Sequence, residues 1–350
     1  VADTYISQEL YEEYKEKYNF PQKGEILITC SGTIGKCVIY NGKDAYFQDS
    51  NIVWINNPSN MLINKFLYYF MSQVNWAHLN STTITRIYND NLRNLEISFP
   101  FQEEQHKIAT FLTLIDKRIE TQRKIIDKYE SLIKGLSDKL FLQQIRFKNK
   151  SGEQYLDWDI KLLEEIGESF NGLSGKSKDD FGEGKPYIQY KQVFSDAAIN
   201  VNECGLVNIY NGENQRQVQY GDIFFTVSSE TPDEIGMSSV LINKVDEMYL
   251  NSFCFGIRPF SLDFINPLYM CFLLRNSIFR SAVIKLAQGS TRYNLSKVGL
   301  MKLSIPLPLM QEQNQIAQFL QSIRKKIQIE SEIIEKWLLQ KEFLLQNIFI

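Results

Sequence analysis

The chain has 350 residues, 44% of them hydrophobic and 23% charged, with a formal net charge of −3. That balance is the composition of a globular protein with room for two cores, it contains no apolar run long enough to span a bilayer, and it lacks the basic footprint of most nucleic-acid binders. Five cysteines without a C-x-x-C pair and only two histidines argue against a zinc site, and with no signal peptide visible at the start they predict reduced thiols in a cytoplasm.

The first pattern in chain order is Gly24-Glu25-Ile26-Leu27. Residues Glu25 to Cys30 read as a strand ending in the turn Ser31-Gly32-Thr33-Ile34-Gly35, and Asn51 to Ile55 as a further strand. Asn64 is placed as the N-cap of a helix over Lys65 to Val74. After Thr82-Thr83-Ile84-Thr85-Arg86-Ile87-Tyr88-Asn89 comes a short strand, Leu95-Glu96-Ile97, leading into Pro100. Apolar residues then recur at spacings of four and three: Ile108, Leu112, Ile115, Ile119, Ile126, Tyr129, Ile133, Leu136 and Leu140, with Gln122 filling one gap. Such spacing sustained over five heptads predicts a long helix of coiled-coil type.

The chain then repeats itself. Gly221-Asp222-Ile223-Phe224 matches Gly24-Glu25-Ile26-Leu27 at an offset of 197. Asn266 is matched with Asn64 as the cap of a helix over Pro267 to Leu274, and Gly289-Ser290-Thr291-Arg292-Tyr293-Asn294 with the segment around Arg86. From Pro308 onward the offset from Pro100 is 208, and Gln311-Glu312-Gln313 answers Glu103-Glu104-Gln105. The second stripe holds Ile316, Leu320, Ile323, Ile327, Ile334, Trp337, Leu344 and Ile348, with Glu330 at the position of Gln122 and Lys341 at that of Ile133. The drift in offset places one insertion in Ser229 to Glu234, where a loop absorbs it cheaply. Each helix has a stripe to bury, so the two are expected to pair; the alternative is that each packs on its own domain.

The expected organisation is a first domain over 1–100, shorter at its front than the second; a long helix over 101–142; a polar linker over 143–157; a second domain over 158–309; and a second long helix over 310–350. The fold class is α+β. The pairing residues are Ile108, Leu112, Ile115, Ile119, Ile126 and Ile133 against Ile316, Leu320, Ile323, Ile327, Ile334 and Leu344.

This arrangement resembles the DNA-specificity subunit of type I restriction–modification systems. The resemblance rests on Gly221-Asp222-Ile223 with its Thr-Val-Ser turn, Gly289-Ser290-Thr291, the strand into Ile305-Pro306-Leu307-Pro308, and Gln311-Glu312-Gln313 with Ile316 and Leu320, together with their first-half counterparts. It implies two target-recognition domains, each reading half of a split double-stranded DNA sequence. It also implies an antiparallel coiled coil that sets the gap between half-sites, and docking of modification and restriction subunits. S-adenosylmethionine is expected in the modification subunit and no cofactor or metal in this chain, which itself catalyses nothing. The short front of the first domain leaves room for a second copy of the chain as a partner.

Sequence is read by side chains at base edges, while phosphate contacts only position the protein. The first-choice readers are Thr85, Arg86, Tyr88 and Asn89, with Ser290, Thr291, Arg292, Tyr293 and Asn294; a purely structural turn is the alternative. The turns with Thr29, Ser31, Thr33 and Lys36, and with Thr226, Ser228 and Ser229, are readers or plain hairpins. Lys176, Lys178, Tyr187, Gln189, Tyr190 and Lys191 mix base and aromatic, suited to phosphate and stacking, or form an ordinary loop and strand. Asn266-Pro267-Leu268-Tyr269 is faintly like an adenine-methyltransferase motif, but the first half has Lys65 where the Pro stands, and Pro suits the first turn of a helix. A coiled-coil interaction scaffold without DNA binding is the competing function.

Overall fold

The structure is a computed structural model and describes residues 6–45, 51–58, 61–76 and 86–349. The chain divides into two compact units, Val1–Ile125 with Glu330–Ile350, and Ile126–Ile329. Each long helix is therefore shared between the units rather than standing outside them.

The first unit carries α1 (Gln8–Lys17), β1 (Ile26–Thr29), β2 (Cys37–Ile39), β3 (Ile52–Ile55), α2 (Asn64–Met71), α3 (Asn89–Arg93) and the first part of α4 (Gln102–Phe141). Its strands form one antiparallel sheet in the order β2-β1-β3, with Ile28 opposite both Cys37 and Val53. Ile26 and Ile28 alternate inward as a half-buried strand requires, and pack with Leu67, Met71, Trp76 and Ile87.

The second unit adds β4 (Asp159–Leu162), α5 (Leu163–Ile166), β5 (Gly167–Asn171), β6 (Phe181–Ile188), α6 (Tyr190–Ser195) and β7 (Gly205–Val207) before the repeated part begins. There follow β8 (Ile223–Thr226), β9 (Ser228–Ser229), β10 (Ser238–Val240), β11 (Tyr249–Leu250), β12 (Cys254–Pro259), α7 (Pro267–Leu273), α8 (Ser277–Ile284), β13 (Ala287–Gln288), β14 (Tyr293–Leu295), α9 (Lys297–Met301), β15 (Ser304–Leu307) and α10 (Met310–Ile348). Its central sheet runs β10-β8-β12-β5. The β10-β8-β12 triplet matches β2-β1-β3 of the first unit, and β5 adds a fourth strand to it. Ile223 to Thr226 are buried on both faces, as a central strand covered on both sides demands.

The duplicated Gly-acid pair has a mechanical reason. Gly24 and Gly221 have φ of +94° and +91°, a region that strains any side chain. The acid that follows each one accepts from the backbone N–H three residues back, Glu25 from Gln22 at 2.7 Å and Asp222 from Gln219 at 2.9 Å. The turn thus closes in the same way before the first shared strand.

The duplicated glutamine is a clamp. Gln313 is fully buried; its Nε2 donates to the carbonyls of Phe264 and Pro308, both at 2.8 Å, and its Oε1 accepts from Asn266 N–H at 2.9 Å. Gln105 makes the same set, to the carbonyls of Met61 at 3.1 Å and Pro100 at 2.8 Å and from Ile63 N–H at 2.9 Å. These bonds also correct the alignment. Asn266 corresponds to Ile63, not to Asn64. Asn266 caps α7, accepting from Leu268 and Tyr269 N–H at 2.7 and 3.1 Å. Ile63 is the N-cap of α2 and has no side-chain cap; Asn64 lies one residue inside, donating to the Gly24 carbonyl. Asn266→Ala is expected to lower stability by about 1–2 kcal/mol and Asn266→Ser to recover most of that, read as urea midpoints at constant slope.

Two further expectations change. Leu95-Glu96-Ile97 forms no strand, whereas its counterpart β15 pairs antiparallel with β4; a strand needs a neighbour to accept its ladder bonds, and among the described residues the first unit has none there. Residues 143–157 are more than a polar linker. Phe147 packs edge-on against Phe319 at 5.6 Å. Arg146 donates to the fully buried carboxylate of Glu312 at 3.1 and 2.9 Å, and Trp158 Nε1 donates to the same carboxylate at 2.9 Å.

The long helices pair within each unit. In the first, Leu112, Ile115 and Ile119 of α4 pack with Leu345 and the half-buried Trp337, Leu344 and Ile348 of α10, alongside Ile108. Lys341, at the place of an apolar residue in the other stripe, donates to Asp116 at 2.5 Å. Gln122 donates to Glu330, 208 residues on, so two equivalent residues of the repeat meet. The partners rise along one helix as they fall along the other, which is an antiparallel pairing. In the second unit, Ile133, Leu140 and Phe141 of α4 share a core with Ile316, Ala317 and Leu320 of α10. Ile126, Ile327 and Ile334 are half-buried and Ile323 is buried. Leu345, missing from the expected stripe, is buried more deeply than Leu344.

Candidate nucleic-acid interface

Strand β8 ends at Thr226, and the chain turns through Val227 into β9. Thr226 is buried, and its Oγ1 accepts from Met237 N–H at 3.0 Å, so it holds the turn rather than facing solvent. Strand β14 lies antiparallel to β9, with Tyr293 opposite Ser229 and Asn294 opposite Ser228. It also pairs with β13, so Gly289 to Arg292 form a hairpin tip. Gly289 has φ +123°, and a Cβ there would lie 2.3 Å from the Arg292 carbonyl; the tip closes this tightly only around a glycine.

Three sequence segments converge here. Arg292 Nη2 donates to Ser228 Oγ at 3.0 Å, and Tyr190 Oη donates to the Ser228 carbonyl at 2.7 Å. Tyr190 stacks on Phe194 with ring centroids 6.0 Å apart, and burial pushes its phenol above the usual range. Tyr190, Phe194, Ser228, Ser229, Thr291 and Arg292 line one open cleft together with Glu230 and Glu234. Ser229 Oγ donates to the Thr231 carbonyl at 2.6 Å and Thr231 Oγ1 to Glu234 at 2.9 Å, which orders the inserted loop as the cleft wall. Ser290, Thr291, Arg292, Asn294, Gln189 and Lys191 are exposed, and Tyr293 is half-buried. The cleft offers a guanidinium, hydroxyls, an aromatic face and two carboxylates, a set able to meet both donors and acceptors of base edges.

Lys176 and Tyr187 lie elsewhere. Lys176 pairs with Glu213 at 2.6 Å with its side chain only 3% exposed, and Tyr187 is buried against Phe181. Lys178 is exposed in a short turn that precedes β6.

In the first unit the same ladder position recurs. Thr29 Oγ1 accepts from Lys36 N–H at 3.0 Å and donates to the Thr33 carbonyl, closing the turn. Ser31 bridges antiparallel to Arg86, and Ile87 N–H donates to the Cys30 carbonyl at 2.9 Å. The bond from Leu295 N–H to the Val227 carbonyl at 2.8 Å is its equivalent. Arg86 therefore corresponds to Asn294, and the sequence match of Arg86 with Arg292 was out of step by two. Tyr88, 65% exposed with the Arg86 guanidinium 6.0 Å from its ring centroid, takes the N-cap position that Ser296 holds in the second unit. Asn89 begins α3. Thr33 and Lys36 are exposed. Thr85 lies outside the described residues.

The sequence did not single out Phe194, Glu230 or Glu234. The available signal was the insertion, since Glu230 and Glu234 lie within the extra residues. Burial raises the thiol of Cys37 to about 11 and those of Cys254 and Cys271 to about 12, so these cysteines are packing residues. Among the described residues no group of three or more His, Cys, Asp and Glu is placed to hold a metal, and no helix is long and apolar enough to cross a membrane.

The profile described as the type I restriction modification DNA specificity domain matches residues 2–130 and 155–336, most of the chain. The chain belongs to this family. A Haemophilus influenzae protein assigned as a type I restriction enzyme specificity subunit is 46% identical over 138 residues, covering 39% of this chain and 32% of that protein, so the match spans about a third of its length. The MjaVIII type I restriction enzyme specificity subunit of Methanocaldococcus jannaschii is 26% identical over 324 residues, 85% of this chain and 72% of that one. The fold is that of a solved type I S subunit from M. genitalium, with a TM-score of 0.54 at 18% identity over 95% of this chain and 85% of the other. A chain from a structure of type I R-M complex assembly superposes with a TM-score of 0.58 at 16% identity, covering 94% and 82%. The relatives that match over most of this chain are named type I restriction enzyme specificity subunits.

Proposed function

We propose that the chain reads a split double-stranded DNA sequence, one half with each unit, and serves as the platform on which modification and restriction subunits assemble. S-adenosylmethionine chemistry belongs to the modification subunit in this reading. The observation that supports it is the recurrence, in both units, of a polar turn after the first shared strand laddered to a segment far along the chain: Ser228 and Ser229 with Asn294 and Tyr293, and Ser31 with Arg86. The second unit opens this ladder into a cleft with Arg292 at its rim. In this reading the partners supply most of the phosphate contacts, so the chain itself needs no strongly basic surface.

With the modification partner present, Arg292→Ala is expected to weaken binding to the cognate site by roughly ten- to hundredfold and to relax choice at one base of one half-site. Arg86→Ala should act on the other half-site only. Mapping methylated adenines and measuring binding by titration checks both. Equal affinity for scrambled DNA by the complex would overturn the reading. The net charge of −3 favours a second reading, an interaction scaffold that touches no DNA; no measurable DNA binding with the partners present would support it.

A further inference from the structure

Two arginines behind the cleft of the second unit give their protons to backbone alone. Arg275 and Arg280 flank the junction of α7 and α8, and among the described residues every hydrogen bond they make goes to a main-chain carbonyl. Arg275 donates through Nε to Ser238 at 2.6 Å and through Nη2 to Val193, Phe194 and Asp196 at 2.9, 3.0 and 2.9 Å. Arg280 donates to Gly236 at 2.8 Å, Asp233 at 2.9 Å and Ile235 at 2.7 Å. Burial, and the nearby charges of Arg280 and Arg324, push Arg275 down to about 10. A guanidinium buried without an anion is costly; in return it supplies donors in a fixed fork that several carbonyls can share.

These carbonyls are alike in where they lie. Val193, Phe194 and Asp196 stand at the C-terminal end of α6, where a helix leaves carbonyls in need of donors, and α6 carries Tyr190 and Phe194 into the cleft. Asp233, Ile235 and Gly236 close the loop that carries Glu230 and Glu234 into it. One arginine therefore holds the aromatic wall and the other the acidic wall. Ile235 also shares a core with Phe279 and Val283 of α8. The junction is itself fixed, since Asn276 Nδ2 and Ser277 Oγ both donate to Asp138 Oδ1 of α4 at 2.7 Å.

We propose that Arg280 is a positioning residue for base choice: by gripping the inserted loop it presents the Glu230 and Glu234 carboxylates to the N4 amino group of a cytosine, while Arg275 holds the opposing aromatic wall. Carboxylates only accept hydrogen bonds. In the major groove cytosine offers a donor with no acceptor beside it, whereas adenine sets N7 next to its amino group and guanine and thymine present acceptors. The guanine of the same pair suits Arg292, which lines the same cleft. This inference rests on the DNA reading above and adds the base and the residue that sets it.

The test uses the chain reconstituted with its modification partner and a pool of sequence-randomised duplexes, with methylated sites read by sequencing. The half-site that Arg292→Ala relaxes is expected to require a G·C pair. Replacing both Glu230 and Glu234 by Gln should lower that preference about tenfold and move the choice toward an A·T pair, which an amide reads. Arg280→Met should lower it by a similar factor, and Arg280→Lys, which keeps the charge but not the fork, should fall between. Adding Arg280→Met to the chain with both Gln replacements should change the preference by less than about twofold, because the wall then has no carboxylate to present. A role in stability alone would lower the urea midpoint and leave base choice as it was. Sharp selection surviving in Arg280→Met, full additivity with the Gln replacements, equal loss in both half-sites, or a half-site without a G·C pair would each overturn the positioning role. An unaltered complex that selects no sequence would instead sink the DNA reading, and this inference with it.

Discussion

Arg146→Ala is expected to destabilise the second unit by about 3–5 kcal/mol, the cost of leaving one member of a buried ion pair behind. Glu312 has a fully buried side chain, and that of Arg146 is 12% exposed. Removing the guanidinium takes away both of its bonds to that carboxylate, together with those to the carbonyls of Tyr155 and Leu156 at 3.3 and 2.7 Å. Among the described residues, Trp158 Nε1 is then the one remaining donor to the charge. The cation–π approach of Arg146 to the Trp158 ring, 5.8 Å to the centroid, is lost as well. Urea unfolding followed by Trp fluorescence reads the result. The internal control is Glu104→Gln, which touches the equivalent but exposed residue and should change stability by less than about 0.5 kcal/mol. Equal effects at both sites would show that burial of Glu312 does not matter.

Gln313→Leu is expected to cost about 2–4 kcal/mol. Leucine fills the space but leaves the carbonyls of Phe264 and Pro308 and the N–H of Asn266 without their partner, and unmet buried groups carry most of a hydrogen bond's cost. Gln313→Glu should be no better, because it turns the donating end into an acceptor facing two carbonyls. Gln105→Leu should produce a loss of the same order in the first unit, since the bond set is the same. Hydrogen exchange at the amides of Asn266 and Ile63 separates the two: each variant should raise exchange at its own clamp and leave the other unmoved.

Much of the architecture was legible because it is written as period and repetition. Stripes at spacings of three and four define α4 and α10, and alternation at Ile26 and Ile28 defines β1. What the sequence hid was register. Asn64 and Asn266 look alike as letters, but the buried glutamine bonds align Ile63 with Asn266. Arg86 and Arg292 likewise match by type, while the ladder puts Arg86 against Asn294. Identity of residue type near a loop is weak evidence of equivalence, because loops absorb insertions that the neighbouring strands do not. The role of Arg146 was hidden for another reason. It sits among polar residues that read as a linker, and its partner Glu312 lies 166 residues away; no local pattern announces a long-range ion pair. The cleft combined expected residues, Tyr190, Ser228, Ser229, Thr291 and Arg292, with Phe194, Glu230 and Glu234, which only folding brings beside them.

The contact between Gln122 and Glu330 carries a consequence for how the helices choose each other. These are the same position in the two halves, facing itself across the pair. Were α10 to meet another α10 in this geometry, carboxylate would confront carboxylate, and α4 against α4 would set amide to amide. Tandem duplication frees the position to become unlike, so that an amide donates to a carboxylate and the mixed pairing is preferred over α10 against α10. A single diverged layer thus turns two like halves of one chain into unlike partners at their shared position.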